Sequence, residues 1–165
     1  MPTLIRLEDG RFSAATDPFR TLADDEPSPG GAVIVSSARF AAEADALLGG
    51  GPVGVRLRSD EPMEGLAYDL PRLALVALEF PKFRDGRAFT AAALLRSRFG
   101  FAGEVRAVGY VLRVQAHFMV RCGFSAFEPS DGSTPEQWAA AAGLHRHVYQ
   151  AAPDGRTPAF VERGS

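Results

Sequence analysis

The sequence predicts an α/β protein with a compact, mostly parallel five-stranded sheet and helices packed against it. From Ala32 onward, short apolar runs alternate with amphipathic segments, and five strand–helix units in a row are typical of a parallel sheet. The strands follow one another at about 20 residues, which is short for a large nucleotide-binding fold. This spacing leaves two architectures open, a doubly wound sheet and an open barrel-like fragment.

A small N-terminal β-hairpin is predicted before this core. The stretches 3–7 and 11–12 flank Asp9-Gly10, a pair that favours a tight hairpin turn. Residues 24–31 (Asp-Asp-Glu-Pro-Ser-Pro-Gly-Gly) have the composition of a linker. We therefore expect a hairpin and linker over 1–31, an α/β core domain over 32–150 and a flexible C-terminal tail over 151–165.

The core elements follow from periodicity and from helix-capping signals. The predicted strands are 32–36, 53–57, 73–79, 104–108 and 124–128, and the predicted helices are 38–48, 60–69, 87–99, 111–122 and 135–149. Ser37 and Ser59 are candidate N-caps for the first two helices. Thr-Pro-Glu-Gln at 134–137 is a capping box with proline at the first helical position.

The composition excludes several classes of protein. Cys122 is the only cysteine, so the chain can form neither an internal disulfide nor a four-cysteine iron–sulfur site. His145 and His147 stand two residues apart on a predicted helix, hence on different faces, and we expect no metal site. No apolar run approaches the ~20 residues of a membrane span, and the N-terminus lacks a secretory signal pattern. A cytoplasmic protein without membrane contact is expected.

Basic residues are concentrated in the middle of the chain. Residues 82–121 carry eight basic and two acidic side chains, although the whole chain has a net charge of -2. Of the 18 basic residues, 17 are arginine, whose planar fork suits carboxylates and oxyanions. Nucleic acid is not an expected partner, because the pI is near 5.9 and no nucleic-acid-binding module pattern is present.

The loop 79–87 is a candidate anion-binding site. It follows a predicted strand and precedes a predicted helix, and the C-terminal ends of parallel strands are where ligands bind in such folds. Lys82, Arg84 and Arg87 would converge there on a helix N-terminus, which already attracts anions. Arg113, after the next strand, completes the candidate ligand-binding set. In the alternative interpretation the loop is a solvated surface, with Asp85 capping the helix.

Two carboxylates at predicted strand ends are candidates for catalysis. Glu79 and Glu128 would face one cleft if their strands are near neighbours, with Glu79 as an acid/base. The catalytic candidates are therefore Glu79, Lys82 and Glu128. The alternative is that the two glutamates pair with arginines at the edge of the sheet.

Several stretches resemble the bacterial family DUF934. They are Leu-Glu-Phe-Pro-Lys-Phe (78–83), Asp-Gly-Arg (85–87), Arg-Phe-Gly-Phe (98–101), Gly-Glu-Val-Arg-Ala-Val-Gly (103–109) and Arg-Cys-Gly-Phe (121–124). Genes of this family commonly lie beside those for sulfite reductase and phosphoadenylylsulfate reductase, and its members are often labelled oxidoreductase.

The resemblance implies an accessory protein of assimilatory sulfate and sulfite reduction, which binds an anionic ligand or docks onto one of these two reductases. The family label leaves an alternative, an oxidoreductase with a non-covalently bound flavin or nicotinamide cofactor. The sequence contains no dinucleotide-binding fingerprint, so it does not identify a cofactor. Relatives generally have other side chains at five positions: aspartate at Tyr110, Val114 and Ser125, glutamine at Ala91 and arginine at Ala93.

Overall fold

The computed structural model describes residues 3–82 and 85–143, which form one eight-stranded sheet and four α-helices. The strands are β1 (Leu4–Glu8), β2 (Arg11–Ala15), β3 (Arg20–Thr21), β4 (Val33–Ser36), β5 (Val53–Leu57), β6 (Leu75–Phe80), β7 (Glu104–Gly109) and β8 (Ala126–Phe127). The helices are α1 (Ser37–Gly50), α2 (Arg87–Ser97), α3 (Ala116–Cys122) and α4 (Pro135–Ala142).

The sheet is mixed and curled into a half-barrel. Its strand order is β2-β1-β8-β7-β6-β5-β4-β3. Strands β3 to β8 run parallel in chain order, while β1 pairs antiparallel with both β8 and β2. The predicted N-terminal hairpin is present as β1 and β2, and it extends the main sheet through β8.

The short link between β2 and β3 explains why the sheet must curl. These strands form the two edges of the sheet, which would lie about 34 Å apart if eight strands were laid flat. The chain from Ala15 to Arg20 has only five steps and reaches about 18 Å at most. The edges must therefore approach each other, and residues 16–19 cross the concave face as a strap.

The sheet has eight strands where the sequence predicted five. Of the two predicted architectures, the doubly wound sheet is wrong. Each of β4 to β8 lies beside the strand before it in the chain, and right-handed crossovers of that kind place their helices on one face. Buried side chains of all four described helices, among them Phe40, Leu95, Met119 and Trp138, belong to one core with the strands. The barrel-like fragment is the alternative that the structure adopts.

Successive strand residues alternate between two apolar clusters. Val33, Val55 and Val76 pack in the large core against the helices. Ile34, Leu75, Ala77 and Val108 form a smaller cluster on the concave face, covered by Phe19 of the strap. This two-residue alternation is what a pleated strand buried on both faces requires.

A buried arginine occupies the concave face beside the strap. Arg106 of β7 is 0% exposed, and its two terminal nitrogens donate to the carboxylate of Asp17 at 2.7 and 3.1 Å. Its Nε donates to Glu104 at 2.9 Å, and its guanidinium lies 5.9 Å from the centre of the Phe19 ring. Glu104 also accepts a hydrogen bond from Arg6 of β1. The network thus joins the strap, β7 and the N-terminal hairpin.

Several predicted helices differ from the observed ones. The helix predicted over 60–69 is replaced by short 3-10 turns at Met63–Leu66 and Leu70–Arg72, because prolines at 62 and 71 interrupt an α-helical ladder. Ser36 rather than Ser37 caps α1, accepting from the amide of Arg39. The helix predicted over 111–122 begins with a 3-10 turn at Arg113–Gln115 and becomes α-helical only at Ala116. The capping box before α4 is confirmed.

Some sequence predictions lie outside the described residues. They are the tail over 151–165 and the part of the predicted helix 135–149 that follows Gly143. Within the described ranges, no helix is long and apolar enough to cross a membrane.

Replacement of Asp17 by asparagine tests the role of the buried arginine. Because removing one partner of a buried ion pair costs about 3–5 kcal/mol and Glu104 still neutralises Arg106, we expect the free energy of unfolding to fall by about 3 kcal/mol. Urea unfolding at pH 7 measures this change. Arg72→Gln, which breaks an exposed pair with Asp69, is the matched control and should have little effect.

The same comparison has a defined pH dependence. Burial alone would raise the pKa of Asp17, but hydrogen bonds from Arg106 and from the Phe19 amide, together with the arginine charge, hold that pKa below its ordinary value. A depressed carboxyl pKa stabilises the fold above the unfolded value of about 3.9, and this stabilisation is lost as the pH falls through the folded pKa. The difference between wild type and Asp17→Asn should shrink at pH 3; a constant difference would contradict the ion pair.

Candidate functional site

A cleft of about 330 Å³ opens at the C-terminal ends of β4, β5 and β6. This is the edge at which parallel α/β folds bind ligands. Its polar lining comes from the strand ends, from the start of α1 and from the segment after β3: Thr21, Asp24, Ser36, Ser37, Arg56, Arg58, Glu61 and Glu79. The cleft therefore combines two guanidinium groups, three hydroxyls and three carboxylates.

Alternation along β5 turns Arg56 towards the cleft. Val55 and Leu57 pack into the core beneath the helices, so Arg56 between them faces the opposite side. Its Nε lies 3.2 Å from a carboxylate oxygen of Glu79 on β6. Both side chains are partly exposed, so the pair is weak and its charges remain accessible to a ligand.

A second carboxylate positions the backbone that carries Arg58. Glu61 accepts a hydrogen bond from the Arg58 amide at 3.0 Å and lies 3.4 Å from its Nε. The other oxygen of Glu61 accepts a hydrogen bond from the Ser37 hydroxyl. The turn after β5 is thus tied to the start of α1, while most of the Arg58 side chain stays exposed.

The N-terminus of α1 contributes electrostatically to the cleft. Ser36, Ser37 and Ala38 all line it, and the 14-residue helix that starts here carries the positive end of its dipole at this terminus. Ser36 donates from its hydroxyl to Asp24 at 2.6 Å while it caps the helix. The arrangement favours negative charge in the cleft next to α1.

A smaller cavity of about 50 Å³ adjoins the cleft, and Arg58, Glu61 and Glu79 line both. Arg87 also lines the smaller cavity. It donates to Asp85 at 2.7 Å and to Ser59 at 3.0 Å. Hydrogen bonds from the Arg87 side chain and amide hold the pKa of Asp85 far below its ordinary value, so Asp85 stays ionised and offsets much of the Arg87 charge.

The remaining predicted ligand-binding residues lie away from these cavities or outside the described residues. Lys82 is exposed and lines neither cavity. Arg113 is exposed and is held through its amide, which donates to Asp131 at 3.1 Å. Arg84 falls outside the described residues. Binding by this loop set stays a prediction.

Of the two candidate carboxylates, Glu79 lies on β6 and Glu128 directly follows β8, and β7 lies between these two strands. Phe127 packs with the helices, so Glu128 next to it faces the concave side, as Glu79 does. Burial raises the pKa of Glu128, although the nearby charges of Arg106 and Arg56 act in the opposite direction. Glu79 pairs with Arg56, as the alternative interpretation holds. Catalysis by Glu79, Lys82 or Glu128 stays a prediction.

Sequence reasoning missed Arg56, Glu61 and Asp24 as lining residues, although it expected ligands at the C-terminal ends of the strands and named Glu79, which lines the cleft. One signal was available for Arg56. A charged residue inside an apolar strand that helices cover on one face must point to the other face. Asp24 and Glu61 carry no such signal, because both stand in loops. Across the described residues, no group of three or more histidine, cysteine, aspartate or glutamate side chains is arranged to hold a metal ion.

The fold and the site together define an α/β half-barrel protein. It has a small cleft, lined by both arginines and carboxylates, at the C-terminal edge of its parallel strands. The chain belongs to the DUF934 family, described as a bacterial protein of unknown function, whose model matches residues 54–160. This confirms the resemblance. None of the curated proteins compared with the chain matches it. Arg56, Arg58, Glu61 and Glu79 lie within the matched range, whereas the strap and α1 precede it.

Glu128→Gln tests whether this carboxyl is destabilising when charged. A folded pKa above the unfolded value of about 4.3 means that stability is lost as the pH rises through the interval between the two. Glutamine cannot ionise, so the variant should be at least as stable as wild type at pH 7, and the two should converge at pH 3. Thermal melting at both values measures this. Lower stability of the variant confined to pH 7 would instead indicate a favourable ion pair with Arg106.

Proposed function

We propose that this protein binds a small oxyanion or oxyanion ester of assimilatory sulfur metabolism in the cleft at β4, β5 and β6. One observation carries the proposal: Arg56, Arg58 and the N-terminus of α1 line the same cleft. Guanidinium groups and helix N-termini are the groups with which proteins hold tetrahedral and pyramidal oxyanions. The volume of about 330 Å³ accommodates such an anion with an organic substituent.

The carboxylates of the cleft define which anions fit. Glu61 and Asp24 already accept hydrogen bonds from Ser37 and Ser36, so they position the cleft wall. Glu79 pairs with Arg56, and an incoming anion competes with it for that guanidinium. Because both charge signs are present, a ligand that carries hydroxyl groups beside its anionic group would satisfy more of the lining than a bare anion.

The metabolic part of the proposal rests on the gene neighbourhood that membership in DUF934 implies. We assign the protein as an accessory protein of sulfate and sulfite reduction, with sulfite reductase or phosphoadenylylsulfate reductase as its partner. The alternative is an oxidoreductase with a loosely held flavin or nicotinamide. A cofactor that copurifies with the full chain and is reduced by added electron donor would favour that alternative.

Arg58→Gln should weaken binding of the anion. Because a hydrogen bond to a charged group contributes roughly 1.5–3 kcal/mol, the affinity should fall at least about tenfold, the equivalent of ~1.4 kcal/mol. Calorimetric titration with sulfate, sulfite and adenylylated sulfate, at an ionic strength fixed with chloride, measures it.

Matched variants separate the cleft from other cationic surfaces. Arg98→Gln removes an exposed arginine at the opposite end of the strands, whose guanidinium lies 5.3 Å from the centre of the Phe99 ring, and should leave the affinity unchanged. The double variant Arg84→Ala with Arg87→Ala tests the loop that the sequence indicated. Equal affinities of Arg58→Gln and wild type for all three anions would refute the cleft as the binding site.

Growth tests the metabolic assignment separately from the ligand. A strain that lacks the gene should grow normally with cysteine as its sulfur source and slowly with sulfate, because only the second route needs sulfate and sulfite reduction. The wild-type gene should restore growth on sulfate, and the Arg58→Gln gene should restore it less well. Normal growth of the deletion strain on sulfate would refute the accessory role while leaving the anion site to be judged by titration.

A further inference from the structure

The charged side chains that line the cleft leave a formal excess of one negative charge. Arg56 and Arg58 bring two guanidinium groups, whereas Asp24, Glu61 and Glu79 bring three carboxylates. The N-terminus of α1 adds the equivalent of about half a positive charge, which does not remove the excess. A ligand whose only charge is an oxyanion would therefore add negative charge to a lining in which negative charge already prevails, and like charges oppose binding.

Both arginines of the cleft already face carboxylates. The Nε atom of Arg56 lies 3.2 Å from Glu79, and that of Arg58 lies 3.4 Å from Glu61 and 3.5 Å from Asp60. Among the described residues, the terminal nitrogens of these two guanidinium groups donate no hydrogen bond. The arginines therefore retain donors for an oxyanion, although their charges are offset.

Asp24 is the carboxylate of the cleft that lacks a cation. Its Oδ1 accepts a hydrogen bond from the Ser36 hydroxyl at 2.6 Å. Within the described part of the chain, Asp24 forms no ion pair and its Oδ2 accepts no hydrogen bond. The other described cations near the cleft each pair with a carboxylate of their own: Arg20 with Glu26, Arg39 with Glu43 and Arg87 with Asp85. The excess negative charge is therefore that of Asp24, which is exposed.

Asp24 lies beside the groups that can hold an oxyanion. Ser36, which donates to Asp24, also caps α1, so this carboxylate is next to the N-terminus of that helix. In the register of β4 and β5, Ser36 is opposite Arg56, and neighbouring strands are about 4.8 Å apart. Arg58, two residues further along the chain, lines the same cleft. One small ligand can therefore reach Asp24 and the oxyanion-binding groups together.

We propose that the ligand of the cleft is a small zwitterion, in which an ammonium group accompanies the oxyanion. The terminal nitrogens of Arg56 and Arg58 and the N-terminus of α1 hold the oxyanion, and Asp24 pairs with the ammonium group. Leu22 and Val35 also line the cleft and contact the short aliphatic link. This inference rests on the proposed function and names the class of its ligand. A hydroxyl in place of the ammonium group would donate to Asp24 but leave its charge unmatched.

Four molecules of similar size and shape separate these alternatives. Taurine carries a sulfonate and an ammonium group, isethionate a sulfonate and a hydroxyl, 1-propanesulfonate a sulfonate alone and propylammonium an ammonium group alone. In calorimetric titration of the full chain at pH 7 and fixed ionic strength, taurine should bind at least about tenfold more tightly than each of the other three.

Asp24→Asn should reverse this order. The asparagine keeps an acceptor oxygen for Ser36 but loses the charge, so taurine should bind at least about tenfold more weakly and 1-propanesulfonate more tightly than to wild type. Asp45→Asn is the matched control, because it removes an exposed carboxylate of α1 that does not line the cleft, and it should keep the wild-type order. Thermal melting verifies that both variants fold.

The outcomes distinguish this inference from anion binding itself. Equal affinities for taurine and 1-propanesulfonate, no detectable binding of taurine, or unchanged taurine binding by folded Asp24→Asn would each overturn the zwitterion. Tighter binding of isethionate than of taurine would also overturn it and would assign the cleft to a hydroxyl-bearing anion. Titration of wild type and Arg58→Gln with sulfate and sulfite judges the anion site separately, since neither anion carries an ammonium group.

Discussion

The half-barrel depends on the neutralisation of one buried charge. Arg106 is fully buried on the concave face, and a guanidinium removed from water must be matched by carboxylates and hydrogen bonds. Glu104 supplies one carboxylate from the same strand, but Asp17 comes from 89 residues away. That ion pair fixes the strap across the sheet, and the strap in turn limits how far apart β2 and β3 can lie. The curvature of the sheet, the neutralisation of Arg106 and the short link between β2 and β3 therefore depend on one another.

The curvature determines which surfaces remain for ligands. One face of the sheet is covered by the helices and the concave face by the strap and the Arg106 network, so open space remains at the ends of the strands. The charged cleft lies at the C-terminal ends, and a cavity of about 520 Å³ with an apolar lining lies before β6 and β7 at the opposite ends. Arg56 lies at the boundary between the covered concave face and the open strand ends. It is on the concave face like Arg106, yet it lies at the rim and keeps a partly exposed pair with Glu79. On the concave face, the cleft therefore lies beside the buried network of Arg106, Asp17 and Glu104.

The sequence predicted the local elements better than their arrangement. Short apolar runs located β4 to β8, because strands that are buried on both faces read as continuous apolar stretches. Amphipathic segments and capping signals located the helices that follow four of them. Neither signal could locate β3, whose two residues become a strand only by pairing with β4. The choice between a doubly wound sheet and a barrel fragment depends on strand order, and Asp17 and Arg106 stand too far apart in the chain for any spacing rule to join them. The site predicted from the sequence centres on the loop 79–87, whereas the cleft is lined by other residues, of which Asp24 and Glu61 come from loops.

The basic residues of 82–121 show why the net charge of a sequence segment does not measure the charge that the folded protein exposes. Arg106 is neutralised by Asp17 and Glu104 in the interior. Arg96 donates to the carbonyl oxygens of Gly123, Phe101 and Gly103, and Arg87 is bound to Asp85. These three arginines close loops and stabilise strand ends, which leaves Lys82, Arg98 and Arg113 as described cations of this block without a carboxylate contact. The surplus of six positive charges in residues 82–121 therefore overstates the charge that these residues offer to a ligand, and the two arginines of the cleft, Arg56 and Arg58, precede this range.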